Sequence, residues 1–303
     1  MAWTRYIRFL DSQGLPRQGN ALVDSGDSLL EALQAGTLTA EELTGKDMFS
    51  ATQTGRILSV QKLLGPLSAG DVPIIRAVGL NYVDHIQETD RKPPPYPSIF
   101  IKPSRTVTGW DSDVSVPCIA QEDQLDYEGE LAIVIGKEGK DISAKDALKY
   151  IAGYAVANDV SARTWQRNPK FAGGVPQWCF SKGFDTFCPI GPMIVSPEVL
   201  GPATNIALQT RVNGEVRQNT NTRNLLFGVK EIVAFVSQGT TLERGSVILT
   251  GTPGGVGMGF SPPKWLGDGD VVEVSIEEIG TVRNKMVFAA ESGYNAAPQT
   301  ERQ

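Results

Sequence analysis

The chain has 303 residues, 41% apolar and 20% charged, and Gly plus Pro make up about one residue in six; this suits a turn-rich globular protein and excludes collagen-like, coiled-coil and disordered chains. Lys and Arg number 28 against 34 Asp and Glu, so the net charge is −6 and the chain repels polyanions, which excludes nucleic acid as an expected partner. No apolar run approaches the roughly 20 residues that cross a bilayer, and the first residues lack a secretory signal, so no membrane partner is expected and the expected location is cytoplasmic, with a mitochondrial one left open.

In chain order, residues 1–70 read as a small α+β domain. Tyr6-Ile7-Arg8-Phe9-Leu10 and Arg56-Ile57-Leu58-Ser59-Val60 are short apolar stretches between turns, and Ser28 is placed to cap a helix starting at Leu29, with Glu31 three residues on. Residues 65–71 have a linker's composition, so a boundary is set near 70. From 71 to 291 the chain reads as strand-rich, with strands expected at 73–80, 127–135, 153–158, 206–213, 246–250 and 270–276 from β-branched content and turn flanks. Helices are expected at 144–151, capped by Ser143, at 161–167 and at 229–237. Strands outnumber helices without alternating regularly with them. That pattern favours an α+β, mainly β fold with a rolled sheet over a doubly wound or (β/α)8 fold. Residues 292–303 are polar and read as a flexible tail.

Three acids carry the strongest chemical signal. Glu128 and Glu130 are two apart in an expected strand, so they project side by side, and the strand continues as Leu131-Ala132-Ile133-Val134-Ile135, apolar on both faces. Two unpaired carboxylates leading into a buried strand are costly without a cation. Asp159 follows another apolar strand; alone it reads as a cap for the next helix. Taken together, three oxygen ligands without a Cys or His cluster suit a hard divalent ion, Mg2+ or Mn2+. Cys118, Cys179 and Cys188 form no Cys-x-x-Cys pair and read as small apolar residues.

His85 is the one histidine of the chain. By default such a residue is structural, but Glu88 lies three residues on, one helical turn away, where it can orient the imidazole as a base. The stretch Thr89-Asp90-Arg91-Lys92-Pro93-Pro94-Pro95-Tyr96-Pro97 reads as a mobile flap. Lys102, Arg163 with Gln166, and Lys182 form a set able to bind a carboxylate and steady an enolate. The glycine-rich turn Thr250-Gly251-Thr252-Pro253-Gly254-Gly255 matches no nucleotide fingerprint, yet its amides and the Thr252 hydroxyl can hold a small anion.

Five segments resemble the fumarylacetoacetate hydrolase family, in the family's order: Gly79-Leu80-Asn81-Tyr82-Val83-Asp84-His85, Asp126-Tyr127-Glu128-Gly129-Glu130-Leu131, Asn158-Asp159-Val160-Ser161-Ala162-Arg163, Lys182-Gly183-Phe184-Asp185 and Thr250-Gly251-Thr252-Pro253. Arg211-Val212-Asn213-Gly214-Glu215-Val216 and Gly257-Met258-Gly259-Phe260 are similar to its domain-containing-protein-2-like branch. The resemblance implies a mixed β-roll core of the family's C-terminal type, usually in a homodimer, with Mg2+ or Mn2+ held by Glu128, Glu130 and Asp159. It implies a His85/Glu88 dyad on a lid and Lys182 as the charge partner near the reacting carbonyl. Arg163, Gln166, Thr252 and Tyr82 are then substrate-binding. The implied substrates are small β-dicarbonyl acids such as acylpyruvates and oxaloacetate. C–C bond hydrolysis of acylpyruvate type is the first expectation, with oxaloacetate tautomerase or decarboxylase, a tailoring enzyme of specialised metabolism and a non-catalytic metabolite-binding module as alternatives.

Overall fold

Apolar side chains at every position of residues 131–135 demand cover on both faces of their strand. In the computed structural model, which describes residues 1–88 and 92–290 apart from the side chains of Gln87 and Glu88, the Gly129–Ile135 strand lies inside a 12-stranded mixed sheet. Its main path runs Thr52–Ser59, Thr39–Thr44, Pro16–Ala21, Arg5–Leu10, Cys188–Val195, Ile151–Asn158, Gly129–Ile135, Val247–Leu249, Ile75–Gly79, Ser98–Lys102. Along that path Val247–Leu249 and Ile75–Gly79 are parallel and the other neighbours antiparallel. A five-stranded sheet, ordered Glu215–Asn221, Ala207–Val212, Val271–Ile276, Gly280–Phe288, Val114–Val116, packs against it.

The two-residue period sorts the central strand between two cores. Leu131, Ile133 and Ile135 join Leu208, Val274 and Val282 between the sheets, while Ala132 and Val134 join Phe100, Ile190 and Leu249 on the opposite face. The expected α+β, mainly β architecture is the one observed. The N-terminal strands belong to the same sheet, since Arg5 pairs with Val195 and Tyr6 with Ile194.

Local expectations fail where packing overrides propensity. The first helix runs Gly26–Gln34 and is capped by Ser25; Ser28 is its N3 residue, because Ser25 and Ser28 exchange side-chain-to-backbone hydrogen bonds in a capping box. The helix expected at 144–151 is a single 3-10 turn, Ala147–Tyr150, and Ile151 already begins the buried Ile151–Asn158 strand. Ser161–Ala162 pairs with Leu125–Asp126, so the next helix starts later, as Arg163–Arg167. The helix expected at 229–237 is present as Val229–Val236. Residues 92–97 of the expected flap carry no helix or strand; residues 89–91 and the expected tail lie outside the described residues.

Gly129, between the two glutamates, packs directly against side chains of the five-stranded sheet. A Cβ there meets Thr210 Oγ1 at 2.2 Å and Val274 Cγ1 at 3.0 Å. Gly129→Ala is therefore expected to destabilise the fold by about 1–3 kcal/mol through overpacking, read as a lower urea midpoint with an unchanged m-value.

Candidate active site and metal centre

Strand register brings the acids together. Gly129 lies opposite Asn158 and Glu130 opposite Ala157, and the Asp159 N–H donates to the Glu128 carbonyl at 2.8 Å. Asp159 thus leaves the end of one strand beside the start of its neighbour. One carboxylate oxygen from each of Glu128, Glu130 and Asp159 lies within 4.8 Å of the others, and all three residues are buried.

Three cations surround them. Lys182 caps the short Trp178–Ser181 helix and donates to Asp159 Oδ2 at 2.5 Å and Ser161 Oγ at 2.7 Å, with Glu128 Oε2 at 2.9 Å. Arg163 reaches Glu128 Oε1 at 2.7 Å through Nη1 and donates from Nε to Asp126 Oδ2 at 2.8 Å; Nη1 also donates to Gln166 Oε1 at 3.0 Å. Lys102, expected to face substrate, instead donates to Asp159 Oδ1, to the Phe187 carbonyl at 2.8 Å and to the Val160 carbonyl at 3.4 Å. Its three protons are taken inside the protein, so it acts as the counter-ion of Asp159.

Four buried carboxylates, Asp126, Glu128, Glu130 and Asp159, therefore face Lys102, Arg163 and Lys182. Among the described residues Glu130 has no ion pair, and its Oε2 accepts the Gly251 N–H at 2.6 Å. Burial and the charges of Asp159 and Glu128 push its carboxyl well above the usual carboxylate range. Burial pushes Glu128 the same way, but Lys182, Arg163 and His85 prevail and hold it at about 2. Burial works against the Lys182 charge, yet Asp159 and Glu128 raise its pKa, so it is an ammonium at neutral pH and not a base. The surplus buried negative charge and the all-oxygen donor set fit a hard divalent cation.

One cavity gathers most of the expected functional residues: His85, Arg163, Gln166, Lys182 and Thr252 line it beside Glu128. It holds about 20 Å³, room for a single water. His85 lies on the Val83–Glu88 helix, which ends with Glu88; the Glu88 side chain lies outside the described residues. Tyr82 is fully buried just before that helix and does not line the cavity; among the described residues its hydroxyl is buried without a hydrogen-bond partner, and burial, Glu130 and Asp84 raise its pKa. Among the same residues Arg163 Nη2 is likewise buried and unpartnered, on a residue that faces the cavity.

Two positioning residues escaped the sequence reading. Asp126 accepts from Arg163 Nε and from the N–H groups of Tyr127, Gly257 and Met258 at 2.9, 2.7 and 3.1 Å, fastening the arginine to the glycine-rich loop. The Asn81 amide donates to the Thr250 and Phe227 carbonyls at 2.7 and 3.0 Å and accepts the Phe227 N–H at 2.8 Å, tying the histidine helix to the same loop. Both stand in segments that carry the family resemblance, but no local spacing assigned either a role. Lys102→Met is expected to cost about 3–5 kcal/mol by leaving Asp159 Oδ1 without its cation and Lys182 as the one counter-ion of that carboxylate among the described residues, and adding Asp159→Asn is expected to recover part of it; urea denaturation of the single and double variants measures both.

The family model described as fumarylacetoacetate (FAA) hydrolase C-terminal matches residues 74–287. The chain is 45% identical over 226 residues to a rat (Rattus norvegicus) protein named oxaloacetate tautomerase Fahd2a, mitochondrial, covering 74% of this chain and 69% of the relative. It is 38% identical over 299 residues to a Xenopus laevis oxaloacetate tautomerase, covering 93% and 90%. Among solved structures, the 2-hydroxyhepta-2,4-diene-1,7-dioate isomerase of Mycobacterium marinum superposes with a TM-score of 0.76 at 36% identity, covering 95% of this chain and 100% of that one. The fumarylacetoacetate hydrolase of Exiguobacterium antarcticum gives a TM-score of 0.71 at 36% identity, over 94% and 100%. With the family model matching residues 74–287 and relatives this similar along most of its length, the chain belongs to the fumarylacetoacetate hydrolase family of enzymes.

Proposed function

We propose that the protein catalyses keto–enol tautomerisation of a small β-keto dicarboxylic acid of the oxaloacetate type, with Mg2+ or Mn2+ held by Glu128, Glu130 and Asp159. The observation that carries this reading is a cavity lined by His85, Arg163, Lys182 and Thr252 together with Glu128, whose carboxylate belongs to the buried acid triad. The relatives' names support tautomerase over the hydrolase first expected from the sequence, since the curated relatives cited above are named oxaloacetate tautomerases and the structure with the higher of the two TM-scores is named an isomerase.

A bound divalent ion supplies Lewis-acid stabilisation of negative charge on a carbonyl oxygen. The rest is the chain's own work. Arg163 Nη2 and the Thr252 hydroxyl bind substrate carboxylate, which fixes the reacting carbon relative to the imidazole. The Lys182 ammonium, locked between Glu128 and Asp159, adds positive charge where the enolate oxygen develops. His85 moves the proton between that oxygen and the neighbouring carbon. The tight cavity keeps bulk water from the enolate, which favours proton return over C–C cleavage. Acylpyruvate-type hydrolysis is the second reading, favoured by His85 on the same wall, where it can activate a water.

The test follows enol decay, pyruvate release from oxaloacetate and acylpyruvate cleavage in parallel, with Mg2+, Mn2+ or EDTA. Fast enol decay that EDTA abolishes and either ion restores is expected, with His85→Ala lowering kcat by about 10²–10⁴. Acylpyruvate cleavage outrunning enol decay replaces the reading with the hydrolase; enol decay indifferent to EDTA rejects the metal assignment.

A further inference from the structure

Whether Thr252 offers the cavity a proton or a lone pair is decided by a residue outside it. Gln218 lies on the Glu215–Asn221 strand of the five-stranded sheet and is 1% exposed. Its Oε1 accepts the Gly129 N–H at 3.0 Å. A backbone N–H only donates, so this contact fixes which end of the amide is oxygen. Nε2 then donates to Thr252 Oγ1 at 2.8 Å and to the Pro253 carbonyl at 3.0 Å. A hydroxyl that accepts from Gln218 keeps its own proton for another acceptor, and among the described residues Thr252 Oγ1 makes no second hydrogen bond.

We propose that Gln218 is a positioning residue that sets Thr252 as a proton donor to a substrate carboxylate, and so makes the site select anionic ligands; the proposal rests on the keto-acid reading above. Gly129 stands between Glu128 and Glu130, so one side-chain amide spans the acid triad and the anion-binding hydroxyl. That bridge fixes the distance between the two ends of the ligand site. It also has no slack: a Cβ on Gly129 comes within 3.1 Å of Gln218 Oε1.

Gln218→Glu replaces the donor to Thr252 with an acceptor, and Gln218→Met removes it at similar length. Calorimetry of oxalate binding with Mg2+, Mg2+ binding alone, and KM and kcat for oxaloacetate enol decay read the effect. Both variants are expected to bind oxalate about 10–100-fold more weakly and to raise KM by a similar factor; Gln218→Glu, which keeps an acceptor for the Gly129 N–H, is expected to leave kcat and Mg2+ affinity within about twofold of wild type. Thr252→Val is expected to reproduce the loss, and Gln218→Met added to it to lose nothing more. Unchanged oxalate affinity and KM in both variants overturns the proposal. So does a fall in kcat, Mg2+ affinity and thermal stability together in Gln218→Glu, which marks a merely structural residue. Oxalate binding by the wild type without turnover removes the tautomerase reading and leaves Gln218 standing, turnover with unshifted KM in the variants does the reverse, and neither binding nor turnover in the wild type removes both.

Discussion

Like-charge repulsion among buried carboxylates is the constraint around which the site is arranged. Glu128, Glu130 and Asp159 are forced together by hydrogen bonding between two central strands, a geometry the backbone cannot relax without giving up ladder bonds. In a medium of low polarity such a group holds together only if its charge is met. Lys102, Lys182 and Arg163 each meet part of it, and each in turn is buried because its charge is met. The remainder falls on Glu130, the acid whose carboxyl is pushed furthest toward its neutral form.

The same economy explains why the three cations have different duties. Lys102 spends all its protons on protein oxygens and cannot reach a ligand. Lys182 bridges two acids and the Ser161 hydroxyl at the cavity wall, so what it offers a ligand is its charge. Arg163, with five N–H donors, serves Asp126, Glu128 and Gln166 and still has Nη2 left over. A lysine at 163 has too few donors for those tasks. Residue type, burial and ligand contact are thus one decision at each position.

The parts legible in the sequence were those set by short spacing. Glu128 and Glu130 are two apart on a strand, Arg163 and Gln166 three apart on a helix, and both pairs share a face as spacing requires. The α+β, mainly β class followed from the strand count. What escaped depends on pairings between distant segments: Lys102 with Asp159, Gln218 with Thr252, Asn81 with Thr250. No local period encodes those registers. The 144–151 helix failed for a related reason, since Ile151 is needed opposite Ile135 in the sheet and that pairing outweighs helical patterning.

The N-terminal strands give the sheet a further property. By pairing with Cys188–Val195 they move the exposed border out to Thr52–Ser59, a polar strand that resists adding a foreign chain. The ligand-bearing strands are left in the interior, hydrogen-bonded on both sides, while His85 sits on a helix of six residues. Amide exchange with solvent is therefore expected to be slower in the acid-bearing strands than in the short helix that carries His85.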